Sequence, residues 1–306
     1  MQALSIEFKV NVSKKLKEAY DSPNYVNVGF LRHYELTSRA CVDIIRGKIE
    51  GVLTDQQWLR LGSKLNVKTE KLWNLARTDV FTVLEEDILF CKDNAKAKIC
   101  VDECGIGKTF TAKYLSKTLE NCFYVDASQG KTILQFTKAL ASSIGLNIIS
   151  KHADLKQDIK CYLKIINNPI VIIDEAGDLG QVTLQEIKEY WNATEGFCGW
   201  YLMGADGLRY TIEKGIKLRK PGFKEIFSRF SERYTTVVPI DKKSKILFYK
   251  KLIKDVLSVN MSNTKAIDDI VTRCLTNDLQ GTVSGLRRAE SLLILTKTEN
   301  IILTES

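Results

Sequence analysis

Histidine is nearly absent from this chain, with two among 306 residues. The eight cysteines are scattered, and no two of them form a CxxC pair. These shortages exclude a zinc finger or ribbon and a disulfide framework, and leave Cys91, Cys100, Cys104 and Cys122 as reduced thiols in or near a core. No apolar run approaches the roughly 20 residues that a membrane-spanning helix needs. No secretory signal pattern precedes residue 30, no segment repeats, and none is of low complexity. A cytoplasmic protein that makes no membrane contact is the expectation. With 44% hydrophobic residues, a chain of this length can bury a sizeable core over two or three modules.

What the chain does contain is a nearly complete phosphate loop. The segment Asp102-Glu103-Cys104-Gly105-Ile106-Gly107-Lys108-Thr109 follows the apolar Ile99-Cys100-Val101 and departs from the P-loop pattern only at Asp102, where the pattern asks for glycine. Gly105, Ile106 and Gly107 let the backbone turn its N–H groups toward phosphate, Lys108 reaches the β/γ oxygens of ATP, and the Thr109 hydroxyl ligates Mg²⁺. Phe110 is counted with them as a nucleotide-binding residue, and residues 111–119 form the helix whose N-terminus faces the phosphates. The alternative is a plain glycine turn between a strand and a helix.

A second motif agrees with the first. Pro169-Ile170-Val171-Ile172-Ile173 is a continuous apolar run that ends in Asp174-Glu175, the signature of a buried parallel strand delivering carboxylates at its C-terminal edge. Open α/β sheets bind their ligands at that edge. Asp174 then holds Mg²⁺ through water, and Glu175 polarises the water that attacks the γ-phosphate. Acidic residues at such junctions also cap helices, and that is the competing explanation.

Strand patterns at 98–101, 122–127, 170–173, 200–204 and 234–240 alternate with helical ones such as 133–144 and 184–191. The rhythm is that of βα units and a parallel sheet. After Pro239 the pattern becomes wholly helical, as in a small lid. Residues 1–80 read as a separate helical module, with helices at 13–20, 28–33, 37–45 and 55–65 and a break at Ser22-Pro23-Asn24. Residues 29–47 have the dimensions of a helix-turn-helix, whose recognition helix begins at Thr37-Ser38-Arg39 and sets Arg39, Asp43 and Arg46 on one face. A protein-docking or simple folding unit fits the same pattern. The expected division is 1–80, 81–240 and 241–306.

The net charge is +8. Between residues 211 and 233, Lys214, Lys217, Arg219, Lys220, Lys224, Arg229 and Arg233 stand against Glu213, Glu225 and Glu232. Gly215, Pro221 and Gly222 interrupt the segment, so its first half reads as a mobile basic loop of the kind that grips phosphate backbones. A solvated loop with no ligand is the other reading.

On Cys104-Gly105-Ile106-Gly107-Lys108-Thr109, Val171-Ile172-Ile173-Asp174-Glu175-Ala176, Tyr201-Leu202-Met203-Gly204 and Phe227-Ser228-Arg229, residues 95–295 resemble the AAA+ ATPases. Within them they resemble the DNA-transposition ATPases of the MuB, IstB and TniB group. The resemblance implies an α/β P-loop AAA+ parallel sheet with a C-terminal helical lid, behind an N-terminal helix-turn-helix-like module. It implies a sensor 1 after the fourth strand, where the familiar Asn or Thr is missing and Asp206 is the candidate, unless Asp206 starts a turn with Gly207. It places an arginine finger at Arg229, with Arg233 as fallback, to serve the ATP of a neighbouring subunit; a surface salt bridge is the alternative. Sensor 2 falls on Arg287, in preference to Arg288, although arginines there also suit a solvated helix face. The implied function is an ATPase using ATP and Mg²⁺ that assembles as a ring or filament on duplex DNA and selects targets for a cognate transposase. A helicase loader or replication initiator is a rival of the same class. A poorly hydrolysing nucleotide-gated switch is a rival of another.

Overall fold

The computed structural model describes residues 6–21, 27–65, 67, 74–130, 132–275 and 285–304. The break expected at Ser22-Pro23-Asn24 lies outside the described residues. The chain divides into two compact units, Met1–Trp73 with Ala141–Lys151, and Asn74–Leu140 with His152–Ser306.

The first unit holds α1 (Ile6–Tyr20), α2 (Asn27–His33), α3 (Ser38–Ile45) and α4 (Asp55–Lys64). Thr37 starts α3 by accepting from the Ala40 N–H at 3.2 Å. Thr54 and Gln57 start α4 as a reciprocal capping box, with the Gln57 N–H donating to the threonine hydroxyl and the Thr54 N–H to the glutamine oxygen. Val12, Leu16, Phe30, Cys41, Ile44, Trp58 and Leu61 form its core. Gly62 lets α4 meet α1, because a Cβ there would lie 2.4 Å from the Phe8 ring.

The second unit begins with α5 (Asp79–Asn94), β1 (Ala97–Val101), α6 (Lys108–Thr118), β2 (Cys122–Asp126), α7 (Ile133–Ser143) and α8 (His152–Ile165). It continues with β3 (Ile170–Asp174), α9 (Gln181–Ala193), β4 (Gly199–Gly204), α10 (Asp206–Lys217), α11 (Phe223–Arg229) and β5 (Tyr234–Thr235). The five strands make one sheet in the order β2-β3-β4-β1-β5, every pair parallel. Helices cover both faces, which is why β3 is apolar at every position up to its terminal aspartate. On one face Cys100, Ile170, Ile172, Tyr201 and Met203 pack in a cluster with Leu84 and Ile88 of α5 and Leu115 of α6. On the other, Trp200 stacks on Tyr190 of α9 at 6.2 Å between ring centroids. Each such buried side chain contributes about 1.5–3 kcal/mol relative to exposure. Burial also pushes the thiols of Cys91, Cys100 and Cys122 up to about 12, so they remain inert core groups.

Asp87 is a buried carboxylate on α5, and burying a charge costs heavily unless it is paired. It accepts from Lys98 of β1 at 2.5 Å, Tyr201 of β4 at 3.1 Å and Thr235 of β5 at 2.6 Å. These bonds tie one helix to three strands.

The strand expected over 234–240 is shorter than its apolar pattern, ending at Thr235. The N–H groups of Val237 and Val238 donate to the Asp102 carboxylate and leave the ladder. The basic segment is likewise not a mobile loop in its first half, because α10 runs through Lys217 and α11 starts at Phe223. Gly215 is a packing glycine within α10: a Cβ there would come within 2.3 Å of the Phe223 ring.

The lid is α12 (Lys242–Ser258), α13 (Thr264–Leu275) and α14 (Leu286–Thr304), closed around Leu252, Ile253, Ile267, Ile270, Val271, Ala289 and Leu292. Among the described residues no helix is long and apolar enough to cross a membrane.

Candidate nucleotide site

The loop from Asp102 to Gly107 leaves the C-terminal end of β1 and turns into α6. Gly105 and Gly107 have φ of 75° and 103°, in the left-handed region where a side chain is strained, so the turn requires glycine at both. Ile106 between them is buried, while Cys104 is exposed, unlike Cys91, Cys100 and Cys122, the other thiols expected in or near a core. Lys108 donates to the carbonyls of Asp102 and Glu103, each at 2.7 Å, which holds its ammonium over the mouth of the loop.

Asp102, the residue foreign to the pattern, points inward and is buried. One carboxylate oxygen accepts from the Glu103 N–H at 2.7 Å, the other from Val237 and Val238 at 2.5 and 3.1 Å. Its charge is spent on backbone N–H groups.

The loop is also bound to the lid. The Leu286 N–H donates to the Gly105 carbonyl at 2.9 Å, and a Cβ on Gly285 would lie 2.9 Å from that same oxygen. Glu103 accepts from the Tyr249 hydroxyl at 2.6 Å and pairs with Lys245, both on α12. Burial works to raise the Glu103 pKa, but the hydrogen bonds from Lys245 and Tyr249 outweigh it and hold the carboxyl below its usual range.

β3 ends at the same sheet edge as β1, one strand away across β4. Asp174 there is almost fully buried; it accepts from the Glu175 N–H at 2.9 Å and from the Tyr124 hydroxyl of β2 at 3.0 Å. Glu175 is exposed and has a left-handed backbone with φ of 51°, a conformation that costs a non-glycine residue roughly 1 kcal/mol or more. Desolvation, then the adjacent Asp174 charge, raise its pKa. Both Asp174 oxygens keep a free lone pair, and with the Thr109 hydroxyl they offer the hard oxygen donors that Mg²⁺ takes. The donor set fits that ion.

Residues 92–212 match a protein family described as AAA domain. This segment is an AAA-family P-loop domain. No curated protein matches the chain. Among solved structures, the chain is similar to NtrX from Brucella abortus in complex with ATP, at 12% identity and a TM-score of 0.41. That match covers 85% of this chain and 65% of the other.

Beyond the AAA domain's phosphate loop and acidic pair, the other sequence candidates separate. Arg287 lies beside the loop, its Cγ 3.9 Å from where a Cβ on Gly105 would stand. Asp206 is the exposed first residue of α10, a helix start rather than a turn, where the N-terminal dipole favours a carboxylate. Arg229 is held by residues of α9. Its guanidinium donates to Asn192 at 2.5 Å and lies 5.4 Å from the Trp191 ring centre. Two residues on, the Ser231 hydroxyl donates to the carbonyl of Ala97, the first residue of β1, about 13 Å of strand rise below the loop. Lys214, Lys217, Arg219, Lys220 and Lys224 are exposed along α10, its connection to α11, and α11 itself; Arg39 is exposed on α3. Tyr124 and the pairing of Glu103 with Tyr249 escaped the sequence reading. No local pattern marks either one, since each partner is remote along the chain.

Proposed function

We propose that this chain is an ATP-hydrolysing AAA+ protein that assembles on duplex DNA and directs a cognate transposase to its target. The observation that carries the reading is the convergence of Lys108-Thr109 and Asp174-Glu175 on one sheet edge, around a loop built from backbone N–H groups. Lys108 neutralises charge on the β/γ oxygens of ATP, and the loop N–H groups bind the β-phosphate. Glu175 orients and polarises the attacking water, and its raised proton affinity suits a base working closer to neutral pH. Thr109 and Asp174 would hold Mg²⁺, which supplies charge neutralisation on the phosphates when bound. Arg287 reads the γ-phosphate from the lid.

Arg229, at the position the AAA+ resemblance gives the arginine finger, serves the ATP of a neighbouring subunit, so nucleotide binding and assembly are coupled. The exposed Lys214, Lys217, Arg219, Lys220 and Lys224 support phosphate-backbone contact without sequence readout, with Arg39 as a second contact. Subunit mixing tests the shared site. Lys108→Ala and Arg229→Ala proteins should each lose hydrolysis, and their mixture should regain part of it, because the Arg229→Ala subunit then binds ATP beside a neighbour whose arginine is intact. No recovery on mixing contradicts a site shared between subunits.

A second reading, a nucleotide-gated switch that turns over poorly, is favoured by the anionic Asp206 where a neutral sensor is expected. Under it, Glu175→Gln leaves biological activity intact.

A further inference from the structure

Tyr124 sits in the middle of β2, opposite Ile172 in the parallel register, yet its hydroxyl reaches the strand edge and donates to Asp174 Oδ2 at 3.0 Å. The ring is held from above by Lys113 of α6, whose ammonium lies 5.3 Å from its centre. One aromatic side chain therefore spans from the helix that starts at the phosphate loop to the acid at the end of β3. The other Asp174 oxygen is fixed by the Glu175 N–H, a bond the local backbone dictates. Tyr124 alone among these contacts comes from a different strand. With Asp174 almost fully buried, little solvent is present to orient the carboxylate in its place.

We propose that Tyr124 is a positioning residue for the divalent cation of the nucleotide site, locking the Asp174 carboxylate in the rotation that presents its free lone pairs to the ion. The inference rests on the ATPase reading. Groups that orient metal ligands from behind typically govern affinity by 10–100-fold, because an unrestrained carboxylate must be ordered each time the ion binds.

Tyr124→Phe tests it, since the ring, its packing and the Lys113 contact are kept and only the hydroxyl is lost. Mn²⁺ binding to the protein–ATP complex, followed by electron paramagnetic resonance, should weaken about tenfold. ATP affinity measured in EDTA should stay within about twofold, and the Mg²⁺ concentration for half-maximal hydrolysis should rise in step with the Mn²⁺ result, activity recovering at high Mg²⁺. Unchanged Mn²⁺ affinity overturns the inference, as does a loss of activity that no Mg²⁺ concentration restores, which marks a merely structural residue. A wild-type protein that binds no nucleotide overturns the ATPase reading and this inference together.

Discussion

The carboxylate of Asp102 accepts the backbone N–H groups of Val237 and Val238, 2.5 and 3.1 Å away across 135 and 136 residues of sequence. It fastens the root of the phosphate loop to the segment leaving β5. An anion at this position would repel phosphates if it faced them, but its charge is turned inward and shared among three N–H donors.

Asp102→Gly completes the phosphate-loop pattern and should nevertheless destabilise the protein. Three N–H groups lose a charged acceptor and the loop gains freedom, a cost on the order of 2–3 kcal/mol. Urea unfolding of the purified variant reads this as a lower midpoint. An unchanged or higher midpoint means that Asp102 is no structural tie.

Gly215→Ala sets two effects against each other. Alanine improves helix propensity by about 1 kcal/mol, whereas forcing a methyl group into a packed contact costs about 1–3 kcal/mol. With the added Cβ only 2.3 Å from the Phe223 ring, the steric term wins. The thermal midpoint should fall; a rise would show that α10 and α11 are not closely packed.

The parallel sheet, the phosphate loop and the acidic strand end were legible in the sequence because each depends on local pattern: an apolar run, two glycines before lysine, carboxylates after isoleucines. Misreadings arose where a distant partner overrode the local signal. The apolar 236–240 pattern reads as strand until Asp102 captures its N–H groups, and Gly215 reads as a loop breaker until Phe223 is found against it. Residues 141–151 belong with the N-terminal helices, an association that no composition or periodicity announces. In the site, Tyr124 resembles any other strand aromatic until the register with β3 is known.

The tie between Glu103 and the lid predicts a pH signature. Glu103 holds its proton less tightly in the folded chain than its ordinary 4.5, so the associated stability is fully present above that pH and is lost as pH falls through the lower folded value. Tyr249→Phe removes one of the bonds responsible and should lower the thermal midpoint at pH 7. The gap from wild type should narrow as pH drops below 4.5. A gap that is constant with pH would mean that the loss does not run through the charge of the Glu103 carboxylate.

The most direct test is the rate of ATP hydrolysis by the purified protein with and without duplex DNA, wild type beside Lys108→Ala. Turnover that rises on adding duplex and vanishes in the variant is the predicted result. ATP binding with no turnover, or turnover indifferent to DNA, contradicts a DNA-assembled ATPase.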